Sequence, residues 1–258
     1  MPLHSCSNIS TTSPQSRRGV SAGFTLVELL VVIGIIAVLI GILLPALNRA
    51  QQQAKTVNCL ANVKQLMTAT IMYVNDNDGI LPFTGWSDQA GIANWLYVAP
   101  TLGQQNEVEN GQLWKYLGVY PVYHCPQDLG PWPAGDVTNL SSFIMNGAAS
   151  GYAQNNNMGL KLVNFHPDDV LFWEVPQTMG GANGANDGTN RPDEGVSDKH
   201  NHCTSIGYMD GHADLMTFTD FNNYCQFGPS PLWCDPTRAG TGGYGVLSTP
   251  PNPIPHQE

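Results

Sequence analysis

Hydrophobic residues are concentrated at one end of this chain. From Phe24 to Leu47 only Glu28 is charged, and the sixteen residues Leu29 to Leu44 are all apolar or glycine. With their flanks they reach the roughly 20 residues a helix needs to cross a bilayer core, so a membrane span is expected over 24–47. Pro45 removes one backbone hydrogen bond and tends to kink a helix. Beyond it the apolar positions recur at helical spacing: Leu60, Val63, Met67, Thr70 and Val74 form one stripe and Leu47, Ala50, Ala54, Val57 and Ala61 an adjacent one. Gln51, Gln52, Gln53, Lys55 and Lys64 fall on polar faces. The pattern predicts an amphipathic continuation over 48–78, stopped by Asn75-Asp76-Asn77-Asp78-Gly79, whose residues favour turns and left-handed termination. From Phe24 to Val74 such a helix is about 75 Å long at ~1.5 Å per residue, more than a soluble domain ordinarily needs.

After Gly79 the period changes. Short runs at Val119–His124, Ser142–Met145, Val170–Val175, Thr204–Met209 and Ala213–Phe218 predict strands. Asp210-Gly211 between the last two is a two-residue hairpin signal of type I′. Residues 176–198 and 226–258 are Gly/Pro-rich and predict surface loops. The expected fold class is α+β, with the long N-terminal helix packed on a small antiparallel sheet in a domain spanning 79–258.

Composition then sharpens the orientation. Residues 1–22 hold no acidic group, are rich in Ser, Thr and Pro, and end in Arg17-Arg18-Gly19-Val20-Ser21-Ala22, as expected of a disordered leader retained in the cytoplasm. An ordinary secretory signal peptide has a shorter apolar stretch followed by its small-residue cleavage site; here the small residues come first. The chain carries ten basic and twenty acidic residues, a net charge of −10, and every acidic residue lies at or after Glu28. Nucleic-acid binding draws on clustered Lys and Arg, so a nucleic-acid partner is not expected.

The six cysteines, Cys6, Cys59, Cys125, Cys203, Cys225 and Cys234, include no C-x-x-C pair, which argues against a thiolate metal cage. In an oxidising compartment Cys225 with Cys234, closing a short loop, is the first disulfide candidate and Cys59 with Cys125 the next. Spacing does not determine the connectivity.

Gly23-Phe24-Thr25-Leu26-Val27-Glu28-Leu29-Leu30-Val31-Val32 resembles the leader-cleavage site of type IV prepilins and type II secretion pseudopilins. The resemblance implies a pilin-like fold and three site assignments. A prepilin peptidase/N-methyltransferase would cut between Gly23 and Phe24 and methylate Phe24. Glu28, fifth after the cut, would pair with the new amine of a neighbouring subunit during assembly. Pro45 matches the family's helix-kinking proline. Charge physics points the same way for Glu28, because a carboxylate within an apolar span costs about 2.5–3.5 kcal/mol on insertion scales and needs a partner, unless it snorkels to the interface. The partners implied are the peptidase, other pilin-like subunits and the inner membrane, with the N-terminus cytoplasmic and the C-terminal domain outside. Secretion pseudopilin, pilus subunit and minor initiating component remain open.

Further blocks resemble the prepilin-like proteins of planctomycete-type bacteria: Asn58-Cys59-Leu60-Ala61-Asn62-Val63-Lys64-Gln65, Tyr73-Val74-Asn75-Asp76-Asn77-Asp78-Gly79, Tyr123-His124-Cys125-Pro126, and His200 followed after nine residues by Asp210-Gly211. These proteins carry a C-terminal H-X9-DG domain, here 200–211. If Cys203 to Met209 is a strand, it spans roughly 23 Å, so His200 and Asp210 cannot share a metal; structural hydrogen bonds are the expected role. Asp187, Asp193, Glu194 and Asp198 form an acidic loop that offers oxygens for calcium but lacks regular ligand spacing. No cofactor is expected, and no nucleophile elbow, zinc-protease helix or phosphate loop marks an enzyme; an enzyme would have to gather His166, Asp168 or the His200 region in a pocket. The alternative function is a membrane-tethered glycan- or peptide-binding module presenting Trp86, Trp95, Trp114, Trp132, Trp173 and Trp233, although aromatics more often build a core.

Overall fold

The computed structural model describes residues 25–85, 91–98, 105–128, 140–152, 158–175, 188–197, 199–226 and 229–236. The first helix, α1 (Leu26–Asp76), contains Pro45 and is the one described helix long and apolar enough to cross a membrane. The chain divides into two compact units, Met1–Asn48 and Arg49–Glu258. In the first, every side chain from Thr25 to Asn48 is exposed. A bare apolar helical surface of this kind is stable where lipid or other helices replace water.

The second unit is built on a five-stranded sheet of β1 (Phe143–Asn146), β2 (Val170–Glu174), β3 (Thr189–Asn190), β4 (Cys203–Tyr208) and β5 (Ala213–Thr217), in the order β3-β1-β2-β4-β5. Four of the expected strands are present within a residue or so of their expected ends. The sheet is mixed rather than wholly antiparallel, because β3 runs parallel to β1. The long connection between β2 and β3 makes that return possible, since parallel neighbours need a crossover rather than a hairpin.

The fifth expected strand is absent. Tyr120–Tyr123 forms a 3-10 turn with Pro121 near its start, where a missing N–H and a preset φ suit a helical turn better than a ladder. Two short helices also appear, α2 (Trp114–Leu117) and α3 (Phe218–Gln226). Thr217 starts α3 by accepting the Asp220 N–H at 3.0 Å and donating to its carboxylate at 2.6 Å.

The Asp210-Gly211 hairpin forms with a different loop. Tyr208 N–H donates to the His212 carbonyl at 3.0 Å and Gly211 N–H to Tyr208 at 2.8 Å. Of the loop residues only Gly211 has positive φ, at +92°. This is a three-residue loop closed by a left-handed glycine, not a type I′ turn. It sets His212 opposite Tyr208, and their rings stack at 4.1 Å.

Helix α1 packs on one face of the sheet from Cys59 to Val74. Val63, Met67, Thr70 and Val74 of the first stripe are buried, joined by Cys59, Leu66 and Ala69. The second stripe does not pack: Leu47, Ala50, Ala54, Val57 and Ala61 are exposed. The contact is close because Gly207 of β4 has no side chain. A Cβ there would sit 2.8 Å from Met67 Cγ and Sδ and 3.0 Å from Val63 Cγ1. Trp173 and Phe221, with ring centroids 5.8 Å apart, join the opposite face to α3. Helix α1 ends as its composition requires, with Gly79 at φ +79° donating its N–H to the Val74 carbonyl at 2.9 Å.

Gly207→Val should therefore destabilise the Arg49–Glu258 unit by at least about 2 kcal/mol, because the seam cannot part without losing the burial of Val63 and Met67. Gly211→Ala, where a Cβ meets only Ile71 Cγ1 at 3.5 Å, should cost about 1 kcal/mol from backbone strain alone. Chemical unfolding of the two variants beside the parent measures both.

Candidate functional site: an N-terminal carboxylate and a buried Cys-His-Glu cluster

Glu28 begins α1 in a reciprocal cap. Thr25 N–H donates to Glu28 Oε2 at 2.9 Å, Thr25 Oγ1 donates to the same oxygen at 2.7 Å, and Glu28 N–H donates to Thr25 Oγ1 at 3.2 Å. This is the Ser/Thr-x-x-Glu capping box. The sequence carries this signature as Thr25-x-x-Glu28, a local partner for the carboxylate besides a neighbouring subunit's amine or the interface. Gly23 and Phe24 lie outside the described residues.

A second constellation has no local signature in the sequence. Cys59 of α1, Cys125, Glu174 at the end of β2, and His200 converge so that one ligand atom from each lies within 4.8 Å of the others, all four residues being buried. Local structure explains each placement. Cys59 begins the buried stripe of α1. Cys125 follows the Pro121 turn, which is held to α1 by Asn62 Nδ2 donating to the carbonyls of Pro121 at 3.2 Å and His124 at 2.8 Å. In β2, Phe172 stands opposite Gly207, the residue that faces Met67. Two residues on, Glu174 therefore points toward α1 as well. His200 enters β4 through a turn in which Asn201 and His202 have φ of +56° and +62° and His200 and Cys203 exchange N–H to carbonyl bonds at 3.3 and 3.2 Å. The pair of positive φ angles that type I′ geometry requires thus occurs here.

Within the cluster, His200 Nε2 is 2.9 Å from Glu174 Oε2 and 3.5 Å from Cys125 Sγ, and Cys59 Sγ is 3.5 Å from Glu174 Oε2. Ser205 Oγ donates to Cys59 Sγ at 3.4 Å, and the Gln127 N–H to Cys125 Sγ at 3.4 Å. Burial, then the neighbouring Cys125 and Glu174, push the Cys59 thiol up. The hydrogen bond from Cys59 draws Cys125 down against its burial. Burial works against the His200 imidazolium, but the hydrogen bonds to Cys125 and Glu174 outweigh it and lift His200 to about 9. Lys199, ion-paired to Asp128, is lowered by burial while the charges of Cys125 and Cys59 oppose that shift. Two thiols, an imidazole and a carboxylate in a buried tetrad form a donor set for a tetrahedral metal.

The remaining candidates do not gather at one place. Asp210 and Gly211 lie at the tip of the β4–β5 hairpin, at the far end of β4 from His200. Asp210 Oδ1 accepts the His212 N–H at 2.8 Å and lies 2.5 Å from His212 Nδ1, and the Gly211 carbonyl accepts Lys64 Nζ at 2.7 Å. Thr56 of α1 meets His200 Nδ1 at 3.1 Å. Both ends of the 200–211 segment are thus fastened to α1.

All five described cysteines are free thiols. Neither expected disulfide, Cys225–Cys234 or Cys59–Cys125, is formed in this structure. Cys225 is buried in the main core, whereas Cys234 packs with the separate cluster of Ala148, Tyr152 and Trp233. Cys59 and Cys125 do meet, within the tetrad. Asp193 and Glu194 turn toward Arg191, with contacts of 3.6 and 3.0 Å, while Asp187 and Asp198 lie outside the described residues. Trp95, Trp173 and Trp233 are buried core residues, Trp114 is half-buried, and Trp86 and Trp132 are not described. His166 and Asp168 are exposed.

Comparison with known proteins bears on the N-terminus. Residues 18–44 match the family model of the prokaryotic N-terminal methylation motif. Over 57 residues the chain is 40% identical to the competence protein ComGC of Halalkalibacterium halodurans, a stretch covering 22% of this chain and 56% of that relative. The chain thus spans about half the length of the curated relative it matches. No solved structure matches it.

Asn62→Ala removes both hydrogen bonds that hold the Cys125 turn to α1. At about 0.5–1.5 kcal/mol per bond, the loss should total about 1–3 kcal/mol in equilibrium unfolding.

Proposed function

We propose that the chain is a pilin-like structural subunit of a type IV pilus-like or type II secretion filament, matured by cleavage between Gly23 and Phe24 and by methylation of Phe24. The observation that carries this reading is the methylation motif over 18–44, set on an apolar helix whose every side chain from Thr25 to Asn48 is exposed. Arg17 and Arg18 before the span favour a cytoplasmic N-terminus by the positive-inside rule. The span would then sit in the cytoplasmic membrane and the Arg49–Glu258 unit outside it. The subunit's partners would be the prepilin peptidase and other pilin-like chains. The finer lineage, with an H-X9-DG segment of planctomycete type, rests on His200, Asp210 and Gly211.

Glu28 has a double role in this scheme. Before assembly its carboxylate is satisfied by Thr25 within the same chain. After cleavage the amine of a neighbouring Phe24 would offer a full positive charge, adding a Coulomb attraction that the neutral Thr25 donors lack. Gly34 and Gly41, each with open space where a Cβ would lie, suit close helix contact, because small residues promote packing where lipid supplies no hydrophobic drive.

Intact-mass and N-terminal analysis of the membrane-extracted protein should find methylated Phe24; a terminus at Met1 or beyond Ala46 would overturn the reading. Glu28→Gln preserves an oxygen for the Thr25 cap while deleting the charge. It should leave membrane retention intact and abolish incorporation into filaments, as scored by pelleting of sheared surface fibres.

A further inference from the structure

We infer that Cys59, Cys125, Glu174 and His200 bind a structural zinc ion that fastens the exposed-domain half of α1 to the sheet. Nothing in the N-terminal motif concerns these residues, and three separate observations point to a cation at their centre.

The first is spacing. With Zn–S near 2.3 Å and Zn–N or Zn–O near 2.0–2.1 Å, ligand atoms at the corners of a tetrahedron lie about 3.3–3.8 Å apart. Cys125 Sγ to His200 Nε2 and Cys59 Sγ to Glu174 Oε2 are both 3.5 Å. His200 Nε2 to Glu174 Oε2, at 2.9 Å, has to open by a few tenths of an ångström, and the tetrad, whose ligand atoms lie within 4.8 Å of one another, has to close by up to about 1 Å to reach those edges.

The second is the state of Glu174. The residue is fully buried, and its Oε1 has no hydrogen-bond partner. A carboxylate taken out of water at this depth needs a compensating charge and full use of its lone pairs. A divalent cation bound beside the carboxylate would supply that charge.

The third is the outer layer. Thr56 Oγ1 spends its one proton on the Gln52 carbonyl at 3.1 Å. With that proton on Gln52, Thr56 Oγ1 is an acceptor for His200 Nδ1, 3.1 Å away, in the tautomer that carries its hydrogen on Nδ1. In neutral imidazole that leaves the Nε2 lone pair directed into the tetrad, the arrangement by which metal-bound histidines are held in one tautomer. Ser205 Oγ and the Gln127 N–H donate to the two sulfurs, as donors around thiolate ligands do. The donor set, two soft thiolates with imidazole and one carboxylate in a closed buried site, suits tetrahedral zinc over calcium or magnesium, which take oxygen ligands. With all four positions supplied by protein, no coordination site is open for substrate, so the role is structural. Binding releases the thiol protons and the proton on His200 Nε2, and changes no oxidation state.

The test uses full-length protein extracted in detergent without chelator or reductant. Elemental analysis should give roughly one zinc per chain. Replacement by cobalt should produce the visible bands of a tetrahedral site and a thiolate-to-metal charge-transfer band. Stripping the zinc should lower Tm on the order of 10 °C, reversibly on adding zinc back. Cys125→Ser and Glu174→Gln should each weaken cobalt binding at least about tenfold. Substoichiometric metal in well-folded parent protein that also fails to take up added zinc or cobalt would overturn the inference. So would a Cys59–Cys125 disulfide in the isolated protein whose reduction does not restore metal binding. Both results come from the parent chain, so a variant that fails to fold does not decide the matter, and neither depends on how Phe24 is processed.

Discussion

The approach of α1 to β4 at Gly207 is the contact from which the rest of the Arg49–Glu258 unit follows. A helix can lie this close to a strand only where the strand presents no Cβ, and here a Cβ would strike both Met67 and Val63. Because the axis comes in close, Val63, Leu66 and Met67 are fully buried, each worth about 1.5–3 kcal/mol. The same proximity lets Cys59 reach Glu174, Thr56 reach His200, and Lys64 reach the hairpin carbonyl of Gly211. A wider separation would leave a buried carboxylate and imidazole facing a gap, the costliest defect a protein interior can hold.

The segment from His200 to Gly211 gains a mechanical meaning in this frame. Its first residue is held against α1 through Thr56 and its last through Lys64, and β4 between them supplies the flat glycine surface. Asp210 orders the hairpin tip through His212. The three histidines of this region thus have three different tasks: His200 enters the buried tetrad, His202 occupies a left-handed turn position that aims it there, and His212 closes the hairpin loop.

At the other end of the chain one carboxylate answers two demands. A charge within an apolar span needs a partner, and a helix N-terminus needs acceptors for its orphan N–H groups. Thr25 and Glu28 meet both within a single chain, the carboxylate accepting from the Thr25 N–H and hydroxyl and the hydroxyl accepting the Glu28 N–H.

The sequence by itself determined the apolar span, the motif around Gly23 and Phe24, the buried stripe from Val63 to Val74, and four of the five strands it proposed. Each of these is written in local order: an unbroken run, a 3.6-residue or two-residue period, or a stop signal such as Asp78-Gly79. Turn types were less legible, because Asp-Gly suits several hairpin loops and Asn201-His202 gives no strong dipeptide signal. Pro121 is the local reason that Val119–His124 is a turn rather than a strand. The tetrad was decided only by tertiary structure. Cys59, Cys125, Glu174 and His200 belong to a helix, a turn, a strand and a second turn, so no spacing rule such as C-x-x-C links them, and the one hint was a lone carboxylate in the otherwise apolar strand Val170–Glu174. Ligands far apart in sequence meet through the packing of the elements that carry them, and that packing depends on a glycine opposite a methionine.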